Sequence, residues 1–187
     1  TNNELIKNFS KWFGLNYVIV YFYNVYGPSQ IKSGHMAAVV GIFENQYLNN
    51  KTLTVVKPGT QKRDFTHVED IVEGTYQAML KDKAVGEIIN IGNDEELSVL
   101  DTAKLIHELA ETGKELKIKY TPMSKIFGQY KDIMRRVPDL TKSREILNYS
   151  PKYKLKDAIK LTIINTGSAL MITTTILVSG FSVLLLS

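Results

Sequence analysis

An uncharged run at residues 17–23 constrains the fold more than any other segment of the chain. It reads YVIVYFY, and its β-branched and aromatic residues do not alternate with polar ones. Such a run is typical of a strand that is buried on both faces, as in a parallel sheet. The spacing of apolar residues predicts an amphipathic helix over residues 4–13, which Gly14 ends. A helix followed by a buried strand favours an α/β fold.

The rest of the chain alternates predicted helices with short predicted strands. The helices are expected at residues 35–48, 68–80, 98–111, 141–147 and 155–163, and the strands at residues 53–56, 61–65, 88–91 and 118–120. Residues 57–60 read KPGT, which predicts a tight turn that pairs strand 61–65 with strand 53–56. Thr66 with Glu69, and Ser98 with Asp101, have the spacing of capping boxes at helix starts.

Composition excludes several classes of site. The chain of 187 residues has no cysteine, which excludes thiolate metal sites and cysteine nucleophiles, and its three histidines are too scattered for a metal site. The net charge is +4, and residues 114–160 carry 13 Lys and Arg against 5 Asp and Glu. No aromatic stacking platform is interleaved with these basic residues, so we do not expect a nucleic-acid partner. A small molecule that carries phosphate would suit such a segment.

The last 27 residues, 161–187, contain no charged side chain. About 20 apolar residues are enough to cross a bilayer, although Thr, Ser, Asn and Gly dilute this run. It is predicted as a hydrophobic helix and as a unit separate from residues 1–160. Two interpretations stay open: a segment with membrane contact, or a chimeric segment that is foreign to the preceding domain.

Four segments, in order, carry a resemblance to a known family. They are YNVYGP at residues 23–28, RDFTHVEDI at 63–71, NIG at 90–92 followed by SV at 98–99, and RVPD at 136–139 followed by Leu147 and Pro151. Together they resemble the extended short-chain dehydrogenase/reductase family, specifically its NAD-dependent nucleotide-sugar epimerases and dehydratases, and most closely its UDP-glucose 4-epimerase-like members. The resemblance covers about residues 1–160. It implies the C-terminal half of a Rossmann-like α/β fold, with the substrate-binding subdomain.

The resemblance also implies that the machinery of catalysis lies elsewhere. In the family, the N-terminal half holds a glycine-rich loop for NAD, a catalytic Ser or Thr, and a Tyr-x-x-x-Lys pair. No glycine-rich phosphate turn follows any predicted strand here, and no such tyrosine–lysine pair lies on the helix before residues 17–23. The chain is therefore expected to begin after that pair. We predict no catalytic residue, and no activity for the chain alone; NAD is expected only in a full-length member.

The resemblance assigns four ligand residues. The residue matching Asn24 hydrogen-bonds the nucleotide-sugar, and the residue matching Tyr23 lies against the nicotinamide. The residues matching Arg63 and Arg136 bind the nucleotide and its phosphates, as suits a planar guanidinium. Three of the four have a structural alternative: a turn for Asn24, core packing for Tyr23, and an ion pair with Asp64 or Glu69 for Arg63.

Three neighbouring residues are interpreted differently. Arg135 competes with Arg136 for the phosphate role, and the sequence does not choose between them. Asp139 is predicted to cap helix 141–147 rather than bind the nucleotide. His67 and Asp70 are predicted as first-turn residues of helix 68–80, with Asp70 favoured there by the helix dipole.

The predicted function follows from these assignments. The chain is expected to be the nucleotide-sugar-binding portion of an NAD-dependent epimerase or dehydratase, with a UDP-sugar as ligand. A non-catalytic, membrane-tethered binding module and an inert chimeric fragment are the alternatives. The protein is expected to be cytoplasmic, with membrane association through residues 161–187 as the alternative, and full-length relatives are expected to be homodimers.

Overall fold

The computed structural model describes residues 2–34, 37–110, 115–129 and 132–160. Its α-helices are α1 (Asn2–Phe13), α2 (Val39–Leu48), α3 (Val68–Leu80), α4 (Val99–Leu109), α5 (Met123–Phe127) and α6 (Thr141–Leu147). Its strands are β1 (Ile19–Phe22), β2 (Val25–Tyr26), β3 (Leu53–Val56), β4 (Lys62–Asp64), β5 (Thr66–His67), β6 (Ile88–Ile91), β7 (Glu96–Ser98), β8 (Ile118–Thr121) and β9 (Arg135–Arg136). Residues 155–160 are also helical.

The strands pair mostly in parallel, as an α/β fold requires. The parallel pairs are β1 with β6, β2 with β5, β3 with β8, and β4 with β9; among the described residues, only β4 with β7 is antiparallel. Parallel partners must be joined by a crossover, and helices α2, α3 and α4 lie in these crossovers. The α/β class is therefore confirmed.

The buried apolar residues form two clusters. The first lies between α2, α4, β3 and residues 155–160, and includes Phe43, Val55 and Ile106. The second lies between α3, β1, β6 and α6, and includes Ile89 and Ile91. Of the predicted ligand residues, Tyr23 and Asn24 lie between β1 and β2, Arg63 lies in β4, and Arg136 lies in β9.

The predicted hairpin between residues 53–56 and 61–65 does not form. The KPGT turn is present, but β3 takes β8 as its partner, and β4 takes β7 and β9. The turn signal is local, whereas the alternating burial of β3, with Leu53 and Val55 inside, is satisfied by packing on α2 and α4. The hairpin prediction was wrong for that reason.

The first predicted capping box is also wrong, and the second is confirmed. The N-cap of α3 is His67, whose Nδ1 accepts a hydrogen bond of 3.3 Å from the Glu69 N–H. Thr66 instead belongs to β5 and donates its hydroxyl to Asp64. At α4, the Ser98 hydroxyl oxygen accepts a hydrogen bond of 3.0 Å from the Asp101 N–H.

Two apolar faces are more exposed than their sequence pattern predicts. The amphipathic helix α1 has no buried residue, and Trp12 is 69% exposed. The end of β1 is half exposed as well, with Phe22 at 50%, because β6 is the only strand that pairs with β1 among the described residues. On α3, Met79 is 74% exposed as well.

The hydrophobic helix predicted for residues 161–187 lies outside the described residues. Within the described part of the chain, no helix has the length and apolarity that crossing a bilayer would need.

Candidate functional site

A cavity of about 600 Å³ lies where α2, β3, β4 and β9 meet. It brings together three of the four predicted ligand residues, Asn24, Arg63 and Arg136, from three separate segments of the chain. One part of its wall is apolar and the other is polar. The apolar part comprises Val39, Ile42, Phe43, Val56, Phe65, Val99 and Ile126, and the polar part adds Gln46, Thr54, Gln61 and Asp132.

Asn24 is held in place by Asp64. It follows β1 with a φ of +38°, a left-handed conformation that asparagine tolerates better than most residues. Its side-chain amide donates a hydrogen bond of 2.9 Å to Asp64 Oδ1. The turn interpretation of Asn24 is therefore correct for the backbone, while its amide is oriented by a partner on β4.

Asp64 is fully buried and accepts hydrogen bonds from three donors. Besides Asn24, they are the Thr66 hydroxyl and the backbone N–H of Asn93, both at 3.3 Å from Oδ2. Burial raises the pKa of the Asp64 carboxyl, and these hydrogen bonds oppose that rise. The carboxyl is thus a structural acceptor that joins the ends of β1, β4 and β6.

Gly92 explains the NIG segment. A Cβ placed on Gly92 would lie 2.6 Å from Pro138 Cγ and 3.0 Å from Asp64 Oδ2, which leaves no room for a side chain. The Gly92 carbonyl accepts a hydrogen bond of 2.8 Å from the Tyr149 hydroxyl. The close approach therefore packs two of the family-like segments against the buried carboxyl.

Arg63 lies at the cavity but pairs with a residue that the sequence did not predict. Its Nη1 donates to the carbonyl oxygens of Lys62 and Ile133, at 2.7 and 2.8 Å. Its Nη2 donates to Asp132 Oδ1 at 2.5 Å. The predicted alternative, a surface pair with Asp64 or Glu69, is wrong, because Arg63 is only 8% exposed and turns towards the segment before β9.

The two arginines of β9 differ in position. Arg136 lines the cavity. Arg135 is exposed and donates from Nε to Glu96 Oε2 at 2.9 Å, across the β4-centred sheet. The structure therefore places Arg136 at the site and Arg135 in a surface ion pair.

Tyr23 does not join the other three residues. Its hydroxyl donates a hydrogen bond of 3.3 Å to the side-chain oxygen of Asn90, in β6, and Tyr23 does not line the cavity. Its predicted contact with a nicotinamide remains a prediction.

Asp139 caps α6 from one position further out than predicted. Its Oδ1 accepts hydrogen bonds from the N–H of Thr141 at 2.9 Å and from the Thr141 hydroxyl at 2.7 Å. These bonds lower the pKa of the Asp139 carboxyl. The structural interpretation of Asp139 therefore agrees with its contacts.

Asp70 has a larger role than a first-turn charge. Its two carboxylate oxygens accept the backbone N–H groups of Lys152 and Tyr153 at 2.9 and 3.1 Å, and the residue is 2% exposed. His67 stacks on the Tyr153 ring with centroids 4.3 Å apart. Burial lowers the pKa of His67, which fits an imidazole that accepts the capping hydrogen bond.

A second cavity, of about 560 Å³, lies outside this site. It is lined by Tyr47, Lys51 and His107 among others, and Tyr47 and Lys51 have Tyr-x-x-x-Lys spacing. However, α2 ends at Leu48, so the lysine lies beyond the helix and the pair does not share a helix face. This spacing does not supply the missing catalytic pair.

The described residues do not make a binding site for NAD. A dinucleotide site needs a glycine-rich turn that leads from a strand into a helix, and the sequence contains none. Among these residues, there is also no group of three or more His, Asp or Glu side chains that could hold a metal ion.

The sequence did not indicate Asp132, or the positioning of Asn24 by Asp64. Asp132 lies 69 residues from Arg63, and a single acidic residue in a basic segment carries no pattern. Asp64 belongs to the RDF segment, which the sequence does indicate. The hydrogen-bond donors to Asp64, however, lie at the ends of three different strands.

Comparison with known proteins agrees with this architecture. Residues 1–92 match the sequence model of the NAD dependent epimerase/dehydratase family. UDP-N-acetyl-alpha-D-glucosaminuronate decarboxylase of Bacillus cytotoxicus is 38% identical over 151 residues, which are 80% of this chain and 46% of that protein.

Solved structures give the same picture. UDP-glucose 4-epimerase from Thermotoga maritima with UDP-glucose has a TM-score of 0.78 and 30% identity, over 90% of this chain and 51% of that one. UDP-glucuronic acid 4-epimerase from Bacillus cereus, in complex with UDP-glucuronic acid and NAD, has a TM-score of 0.73 and 30% identity, over 84% and 47%.

These similarities define a Rossmann-like α/β protein of the short-chain dehydrogenase/reductase type. Residues 1–92 of the chain belong to the NAD-dependent epimerase/dehydratase family. It spans about half the length of the relatives that it matches.

Proposed function

We propose that this chain is the nucleotide-sugar-binding portion of an NAD-dependent nucleotide-sugar epimerase or dehydratase, and that its ligand is a UDP-sugar. The observation that carries the proposal is the single cavity lined by Asn24, Arg63 and Arg136. The matching relatives and structures are UDP-sugar decarboxylases and epimerases, which supports a UDP-sugar ligand.

The two sides of the cavity fit the two parts of a nucleotide. The apolar side, with Phe43 and Val56, offers a surface for the flat base, while the two arginines offer charge for a diphosphate. Asn24 supplies an amide, already oriented by Asp64, for a polar group of the ligand. This arrangement binds and orients; it contains no group in the role of a base.

The chain alone is proposed to be inactive. A redox epimerisation needs a base to take a hydroxyl proton while hydride leaves the sugar for the nicotinamide. In the family that the chain resembles, that base and the NAD loop belong to the N-terminal half. The described residues of this chain do not fit NAD. Turnover of UDP-glucose or UDP-glucuronate by the purified chain with added NAD would contradict this part of the proposal.

The proposal for the complete protein goes further and rests on the resemblance. The complete protein is proposed to be a cytoplasmic homodimer that uses NAD, in which Tyr23 contacts the nicotinamide. For residues 161–187, which the structure does not describe, the two alternatives of the sequence stay proposals: a segment with membrane contact, or a chimeric segment. The exposed apolar face of α1 supports a further protein contact, because Trp12 and Phe13 would otherwise remain in water.

Calorimetric titration of the full chain with UDP tests the binding site. Losing a charge-assisted hydrogen bond costs about 1.5–3 kcal/mol, so Arg136→Ala and Arg63→Lys should each weaken UDP binding about tenfold to over a hundredfold. Arg63→Lys keeps the charge and removes the planar fork, which limits damage to the fold.

Arg135→Ala is the matched control, because it removes the same charge from the neighbouring position of β9, outside the cavity. Its UDP affinity should stay within about twofold of the wild type, since exposed ion pairs contribute little. The site is wrongly assigned if UDP does not bind, or if all three variants bind it as the wild type does.

A further inference from the structure

The Arg63–Asp132 ion pair lies in the wall of the cavity where an anionic ligand would bind. The Nη2–Oδ1 distance is 2.5 Å, and the two side chains are 10% and 19% exposed. Both residues line the cavity together with Arg136. An anion that reaches Arg63 therefore also meets a carboxylate of this chain.

Counting donors shows how little of Arg63 remains for a ligand. A guanidinium has five N–H groups. Nη1 donates to two backbone carbonyl oxygens and Nη2 donates to Asp132, which leaves at most two N–H groups. Asp132 therefore occupies part of the donor edge that a phosphate would use.

Asp132 is fixed by its own backbone as well. Its Oδ1 accepts a hydrogen bond of 2.9 Å from the Ile133 N–H, while the Ile133 carbonyl oxygen accepts from Arg63. The carboxylate cannot turn away from Arg63 without losing this second bond. Its negative charge therefore stays near the site when an anion arrives.

We propose that Asp132 is a counter-anion, with which the anionic group of the ligand competes at Arg63. This inference rests on the proposed function, because it assumes that the cavity takes a phosphorylated ligand. With Asp132 present, the charge of Arg63 is already partly neutralised, so an anion gains less there. Asp132 therefore weakens the binding of anions, and more strongly the higher their charge.

The variant Asp132→Asn, whose new side chain is uncharged, separates the counter-anion role from a structural one. Asparagine keeps an oxygen that can accept from Arg63 Nη2 and from the Ile133 N–H, and its NH₂ group takes the place of Oδ2, which neither of these two hydrogen bonds uses. Loss of a purely structural contact would weaken ligand binding. Loss of a competing anion would strengthen it, and only for charged ligands.

Three probes are titrated by calorimetry into the 187-residue chain: UDP, uridine and inorganic pyrophosphate. Asp132→Asn should bind UDP and pyrophosphate about tenfold more tightly than the wild type and should bind uridine equally. Asp132→Glu, which keeps the charge, should stay close to the wild type. Glu96→Gln is the matched control, because it removes a carboxylate that pairs with Arg135 and Lys62 outside the cavity.

The outcomes distinguish this inference from the proposed function. Tighter pyrophosphate binding by Asp132→Asn, with UDP bound no more tightly than pyrophosphate by either protein, supports the counter-anion and contradicts the nucleotide assignment. Pyrophosphate affinity that is unchanged, lowered or undetectable in Asp132→Asn overturns the counter-anion, whatever UDP does. An equal gain in pyrophosphate affinity for Glu96→Gln also overturns the counter-anion, because the gain would then follow from the net charge of the protein and not from the position of Asp132.

Discussion

Asp64 on β4 accepts a hydrogen bond from the side-chain amide of Asn24, which lies 40 residues earlier at the end of β1. A buried carboxylate thus fixes the orientation of a side chain that faces the ligand cavity. The three donors to Asp64 come from the ends of β1, β5 and β6, so the site and the sheet share one polar centre.

We predict that Asp64→Asn lowers both stability and ligand affinity. The amide NH₂ of the new residue would face donors, and a buried donor without an acceptor costs about 1–3 kcal/mol. Urea unfolding measures the first effect, and UDP calorimetry the second. Asp94→Asn is the control, because Asp94 is exposed and pairs only at the surface with Arg144. Equal stability of the two variants would show that the Asp64 hydrogen bonds contribute little.

The cap of α3 gives a prediction about pH. Burial lowers the pKa of His67 below the ordinary value near 6.5, so below that pH the unfolded chain binds a proton that the folded chain resists. Acidification from pH 7.5 to 5 should therefore destabilise the wild type through His67.

His67→Asn keeps a capping acceptor and cannot titrate. The difference in unfolding free energy between wild type and His67→Asn should therefore shift in favour of the variant as the pH falls. Chemical denaturation at pH 5, 6, 7 and 7.5 measures this difference. A constant difference over the range would mean that His67 binds protons equally in both states.

The close approach at Gly92 predicts coupling between two segments. Gly92→Ala should destabilise the fold by about 1–3 kcal/mol, because the added methyl group meets Pro138 and the Asp64 carboxylate. Pro138→Ala should relieve part of this clash, so the double variant should be more stable than the sum of the single effects predicts. Strict additivity in thermal unfolding would place the strain elsewhere.

Removal of residues 161–187 should leave the α/β domain folded. A chain that ends at Lys160 retains Leu155, Ala158 and Ile159, which are buried in the first cluster. We expect it to keep its circular dichroism spectrum and to gain solubility, while the full chain partitions into detergent. A chain that ends at Ser150 is the control: it loses those residues and the donors to Asp70, and should unfold. Unfolding of the longer truncation would make the tail part of the core.

Local patterns predicted the helices well. Helix α6 matches its predicted range of 141–147, and α3 matches 68–80, because periodic burial and terminal signals are properties of neighbouring residues. The same patterns could not say whether an apolar face finds a partner within the chain. The exposed faces of α1 and β1 show the limit of that inference.

Pairing between distant segments was not predictable. The partner of β3 is β8, whose first residue lies 65 positions later, and no turn signal reaches that far. The candidate site shows the same difference between local patterns and distant contacts. Asn24, Arg63 and Arg136 came from recognisable segments and share one cavity, although their roles in binding stay predictions. Asp132 depends on a contact across 69 residues and left no local trace.

The parallel pairing has a kinetic consequence. The paired residues are separated by 69 positions for Ile19 and Ile88, by 73 for Lys62 and Arg135, and by 41 for Val25 and Thr66. Contacts of such long sequence separation form slowly, because a large loop must close before any strand gains its partner. During synthesis, β1 therefore leaves the ribosome before β6 exists, and its apolar residues stay without their strand partner until the later segment has been made.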